Sequence, residues 1–185
     1  MTAKPRRASL LPLAVACSLS AAASLVVTTA LIAEIAATPT AGEGIASSFW
    51  TPATAVAALV FGSGAFHGSL QPLPVLAGWA IVALASLAVG LPGVALIVYS
   101  IGWNPPPPAA AIFGVAWGIA CEIVVVNLLV NWLQSDDGVY RSLPSWGWWL
   151  GMGAWGATLG LVLAWRGRAA AAREGERALA GGAAA

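Results

Sequence analysis

Charge is what this chain has least of. Only 8% of its residues are Asp, Glu, Lys or Arg, while 59% are apolar. A soluble domain carries roughly 25% charged residues, so an ordinary soluble fold is excluded. Lys4 is the lone lysine, and the arginines gather at the two ends of the chain, with Arg141 the exception. No Lys/Arg-rich patch with interleaved aromatics lies outside the apolar runs, which argues against a nucleic-acid partner. Cysteine is almost as scarce. Cys17 and Cys121 both fall inside apolar runs, and no CxxC or Cys/His cluster accompanies them. Each therefore reads as a small hydrophobe, and no structural metal is expected. There is one histidine, His67. No segment has strand character, so no Gly-rich phosphate loop follows a strand, and no Ser/His/Asp context resembles a triad. No cofactor is expected, and catalysis is the least supported class.

Long hydrophobic runs are what the chain does have, and they define an all-α, polytopic transmembrane helix bundle. Residues 1–9 form a basic N-terminus with Lys4, Arg6 and Arg7. The apolar run behind it extends from about residue 8 to residue 33. A cleaved signal sequence has an apolar core of about 7–15 residues, so this run reads as an uncleaved span. Leu13-Ala14-Val15-Ala16-Cys17 weakly resembles a lipobox, but the run continues unbroken past Cys17, which argues against lipidation. The transmembrane domain is expected over residues 10–165, with spans at about 10–35, 75–101, 109–133 and 146–165. Residues 166–185 form an Arg/Ala/Gly tail, expected to be disordered beyond a turn or two of helix.

Segment 49–70 is a fifth apolar stretch, broken by Pro52 and Gly62-Ser63-Gly64. Charge decides whether it crosses. Basic residues at both ends place both termini in the cytoplasm by the positive-inside rule, which requires an even number of crossings. Glu34, Glu43, Asp136 and Asp137 then fall on the outer side. Segment 49–70 is the weakest of the five and reads as an outer interfacial or re-entrant helix. The tryptophans form a separate test, because Trp prefers the membrane–water interface. With four spans, Trp50, Trp79, Trp132, Trp146, Trp148 and Trp149 lie near the outer surface. Trp103 and Trp165, with Tyr99, lie near the inner one; Trp117 and Trp155 lie deeper. Heavy use of Ala, Gly, Pro and Arg is typical of GC-rich bacterial genomes, so the expected location is the bacterial plasma (inner) membrane.

A first span, an outer segment and a second span are followed by Pro105-Pro106-Pro107-Pro108, which leads into Phe113-Gly114-Val115-Ala116-Trp117-Gly118-Ile119. A Gly-rich last span carries Trp155-Gly156-Ala157-Thr158-Leu159-Gly160. In this order and these motifs, over roughly residues 49–165, the chain resembles the YagU-like, uncharacterised four-helix inner-membrane proteins of bacteria. The resemblance implies architecture. Those proteins commonly carry His at the start of the last span, where this chain reads Trp149-Leu150-Gly151-Met152-Gly153. A His-dependent role is therefore not implied.

Glu122 is the sharpest chemical feature. It falls near the middle of span 109–133, where an ionised carboxylate costs several kcal/mol and no basic residue lies at matching depth. The expected state is a protonated carboxyl hydrogen-bonded to a neighbouring helix. Gly114, Gly118 and Glu122 recur every fourth residue and share a face, a small-residue groove that suits close helix approach. Three readings follow: interhelical glue, a proton- or cation-responsive site, or a salt bridge to a partner protein. Asn127 and Asn131 lie one turn apart further along. Asn127 is rotated about 140° from Glu122 at 100° per residue, so no single polar stripe joins them; it is expected to bond across helices. Gly147, Gly151, Gly156 and Gly160 give the last span small-xxx-small spacing, as Ala14, Ser18 and Ala22 do in the first. These faces serve internal packing or association with a second copy or another membrane protein. His67 with Gln71, Glu43, Asp136, Asp137 and Tyr140 could converge on the outer face, but one His among scattered carboxylates is a weak metal signal.

The functional expectation is an integral membrane protein with a structural or accessory role and the lipid bilayer as its first partner. The alternative is a small proton- or cation-coupled transporter or channel component using Glu122. Breaks at Gly90-Leu91-Pro92-Gly93 and Gly62-Ser63-Gly64 favour that alternative, since transporters use discontinuous helices. The halves show no internal repeat.

Overall fold

The computed structural model describes residues 10–36, 49–65, 70–124 and 143–182. Among them the chain is all-α. The helices are α1 Leu10–Ala36, α2 Thr51–Phe61, α3 Pro72–Ile101, α4 Pro107–Cys121 and α5 Ser145–Gly182, with one short 3₁₀ turn at Ser63–Ala65. A π turn over residues 122–124 prolongs α4. Three helices are long and apolar enough to cross a membrane: Leu10–Ala36, Pro72–Ile101 and Pro107–Val124. The stretch of α5 between residues 146 and 165 is richer in Gly and Trp, which lowers its hydropathy, and it is not among the three.

Helix α5 is the hub. It packs most extensively on α4 and next on α1; α1 packs on α3, and α2 sits against α3 and α1. Helix α5 runs antiparallel to both α1 and α4. Gly147 of α5 meets Ile32 of α1 and Gly151 meets Thr29 and Leu25, while further on Thr158 Oγ1 donates to Ser24 Oγ at 3.0 Å. Buried side chains of α1, α3, α4 and α5 form the main core, with Cys17, Val94, Ile97, Trp155, Leu159 and Leu163 at its centre. A smaller cluster of Ile32, Ala33, Ala55, Leu143 and Trp148 closes one end. Cys17 is a free, fully buried core residue inside α1.

Prolines start helices here more often than they stop them. Pro72 and Pro74 stand in the first turn of α3 and Pro107 and Pro108 in that of α4. First-turn amides have no intrahelical partner, so a missing N–H costs nothing there. Helix α3 thus begins at residue 72, three residues before the span expected from about residue 75. Gly90-Leu91-Pro92-Gly93 does not interrupt it, because α3 is one helix through Pro92. Pro disturbs the backbone bonding of the preceding turn, and in that turn the Val89 carbonyl accepts a hydrogen bond from Trp117 Nε1 at 3.0 Å. Gly93 leaves room for that indole: a Cβ there would stand 2.7 Å from Trp117 Cδ1.

The C-terminal tail also departs from expectation. Instead of losing helical order within a turn or two of Arg166, α5 continues to Gly182. Four consecutive alanines, Ala169 to Ala172, with Arg and Glu around them, are strong helix formers. Segment 49–70 resolves into α2, which ends where Gly62 turns away at φ 82°. Seven of the eleven α2 residues are buried, and a Cβ on Gly78 of α3 would collide with the Ala53 carbonyl. At about 1.5 Å per residue, eleven residues reach about 16 Å, half the hydrocarbon thickness.

Candidate functional site

The α4–α5 seam is built from glycine. A Cβ on Gly114 would overlap the Gly156 carbonyl oxygen, and one on Gly156 would overlap that of Gly114. Gly118 lies against the Met152 carbonyl and Gly160 against that of Ala110. The two backbones therefore touch, as small residues permit in lipid, where no hydrophobic force draws helices together. Each step of four along α4 (110, 114, 118) meets a step of four back along α5 (160, 156, 152).

Glu122 is one further step of four along α4. Glu122 is 2% exposed. It opens the π turn, and its backbone N–H is shared between the Gly118 and Ile119 carbonyls. Gly114, Gly118 and Glu122 are all buried, which agrees with one common face. Gly118, one turn before Glu122, lies against the Met152 carbonyl, and from residue 125 on span 109–133 lies outside the described residues.

The four α5 glycines lie on two faces. Gly147 and Gly151 face Ile32, Thr29 and Leu25 of α1, whereas Gly156 and Gly160 face α4. The five-residue step from 151 to 156 turns the helix by about 140°. Ala14, Ser18 and Ala22 of α1 are buried, and Ser18 packs against α3, where a Cβ on Gly90 would strike its hydroxyl. Both small-residue faces thus carry contacts within the chain. Gln71 precedes α3 in an extended conformation and makes no side-chain cap. Glu43, His67, Asn127, Asn131, Asp136, Asp137 and Tyr140 lie outside the described residues.

Sequence reasoning missed a layer of side-chain hydrogen bonds at mid-depth. Trp155 Nε1 donates to Ser86 Oγ at 2.8 Å, Trp117 Nε1 donates to the Val89 carbonyl, and Thr158 bonds Ser24. The available signal was the depth of Trp117 and Trp155, since a buried indole N–H needs an acceptor. A cavity of ≈ 20 Å³ lies between Thr29, Phe49, Trp79, Val82 and Trp148, room for about one water. Glu122 does not line it. Chemically, a carboxyl enclosed this way can hold helices through hydrogen bonds or exchange a proton over a short distance. No family model, curated protein or solved structure matches this chain.

Proposed function

We propose that the protein is a structural or accessory helix-bundle component of the bacterial plasma membrane. In this reading α1, α3, α4 and residues 146–165 of α5 form four spans with both termini cytoplasmic, and α2 lies in the outer interface. The observation that carries it is the glycine seam ending at Glu122. Backbones in contact leave no slack for the separations that alternating access requires. The fourth span is argued from burial: Gly151, Gly156, Gly160 and Trp155 are turned into the bundle, so their low hydropathy is not presented to lipid. Lys4, Arg6 and Arg7 ahead of α1 and Arg166 beside Trp165 support this orientation by the positive-inside rule. The resemblance to the YagU-like proteins drawn from the sequence implies the same architecture and no activity.

A second reading, a proton- or cation-coupled transport component, is favoured by one observation. The buried carboxyl opens a π turn, and such turns are frequent at functional sites. Glu122→Gln in reconstituted protein separates the two. The structural role predicts no ion flux in wild type or variant, whereas flux lost or made pH-insensitive by the substitution would promote the transport reading. For topology, cysteines introduced at Ser48 and Ser135 should react with a membrane-impermeant reagent from outside only. Reaction of either from the cytoplasmic side would refute the four-span arrangement.

A further inference from the structure

The end of the bundle opposite the start of α5 gathers features that point to lipid headgroups. Helix α3 ends there and α4 begins there, with α1 entering at Leu10. Tyr99, just before the end of α3, is 91% exposed, and Trp165 of α5 is 67% exposed. Exposed Tyr and Trp on adjacent helices mark the depth of a membrane interface. Arg166 and Arg168 follow Trp165 directly, about 1.5 and 4.5 Å further along the axis, and both are exposed. Arg173 lies about 12 Å beyond Trp165, is exposed, and shares a face with Arg166, seven residues earlier. None of the three forms an ion pair with a described side chain.

The arginines are also held in place. A Cβ on Gly167 would stand 2.6 Å from the Trp103 carbonyl oxygen, so this stretch of α5 rests on the α3–α4 connector. The helix continues for about 25 Å beyond Trp165, so the guanidinium groups project from a rigid element. The flanking segments, residues 1–9 and 166–185, carry seven cations (Lys4, Arg6, Arg7, Arg166, Arg168, Arg173, Arg177) against two acids, Glu174 and Glu176. Guanidinium pairs well with phosphate oxygens.

We propose that Arg166 and Arg168, with Arg173 behind them and Tyr99 and Trp165 at the rim, form a collar that binds the phosphate headgroups of anionic phospholipid in the leaflet at this end. The proposal rests on the membrane-spanning reading of α5. Free phosphate offers the same chemistry, but the aromatic rim and the position just beyond an apolar stretch favour a phosphate carried by lipid.

The test uses full-length protein in phosphatidylcholine vesicles with a trace of spin-labelled phosphatidylglycerol or spin-labelled phosphatidylcholine. The motionally restricted fraction is read from the spectrum. Wild type should select phosphatidylglycerol several-fold, less strongly as salt screens the charges. Arg166→Gln/Arg168→Gln should reduce the preference, by up to about fivefold per arginine, while the total restricted lipid stays constant. Equal restriction of both labels by wild type would overturn the collar and leave the spans intact. A preference undiminished in the double variant would remove it from these arginines. Abolition by millimolar inorganic phosphate at constant ionic strength would make it a site for free phosphate, overturning the lipid assignment. No restricted lipid of either kind would overturn the membrane-spanning reading, and the collar with it.

Discussion

Helix α5 meets its neighbours in two ways. Against α4 it uses backbone contact: Gly114, Gly118, Gly156 and Gly160 bring carbonyls and α-carbons together with no side chain between. Toward α3 it uses a side-chain hydrogen bond, Trp155 Nε1 to Ser86 Oγ at 2.8 Å, and α4 does the same with Trp117. Both answer one problem, since in lipid the apolar effect that packs a soluble core is absent. They differ in tolerance. A backbone seam has no rotamer to adjust, so any added atom must move a helix. A hydrogen-bonded seam can lose one bond and keep its shape.

That difference orders the expected effects of substitution. Gly156→Leu should be most damaging, costing about 3 kcal/mol or more in reversible denaturant unfolding in mixed micelles, because the side chain is driven onto the Gly114 carbonyl. A loss under 1 kcal/mol would mean the backbones do not touch. Trp155→Phe comes next. It keeps most of the ring but strands the Ser86 hydroxyl, with an expected loss of about 1 kcal/mol. A double-mutant cycle with Ser86→Ala should give a coupling of about 0.6 kcal/mol, the average for interhelical hydrogen bonds in membranes. Zero coupling would erase the contrast between the seams. Trp117→Phe should behave similarly but less severely, since the Val89 carbonyl has a second lone pair and a helical donor within reach. Ser18→Ala should have the smallest effect. The Ser18 hydroxyl is fully buried and makes no hydrogen bond with the described residues, so its removal should be neutral or stabilising by up to about 1 kcal/mol.

The parts of this arrangement legible in the sequence are those set by periodicity and composition. The helical class follows from long apolar runs, and the common burial of Gly114, Gly118 and Glu122 follows from fourfold spacing. Facing partners were not legible. Gly147 and Gly151 share spacing with Gly156 and Gly160, yet the five-residue step between the pairs sends them to different helices. The register of α4 against α5 was not legible either, because a run of apolar residues carries no marker of it, whereas the contacts of Gly118 with Met152 and of Gly114 with Gly156 do. Pro92 misled in another way: a proline inside an apolar run predicts a break, yet α3 continues unbroken through it.

The central claim is that α4 and α5 are locked by backbone contact along Gly114, Gly118, Gly156 and Gly160, with Glu122 closing the seam. Comparing Gly114→Ala with Gly153→Ala in reversible unfolding tests it most directly, because the two changes add the same methyl group to helical glycines. At Gly114 that methyl meets the Gly156 carbonyl, while at Gly153 it meets nothing within 4 Å. The account predicts that Gly114→Ala loses about 2 kcal/mol, and that Gly153→Ala is neutral or slightly stabilised, as expected for alanine replacing glycine in a helix. Equal effects of the two substitutions would contradict it.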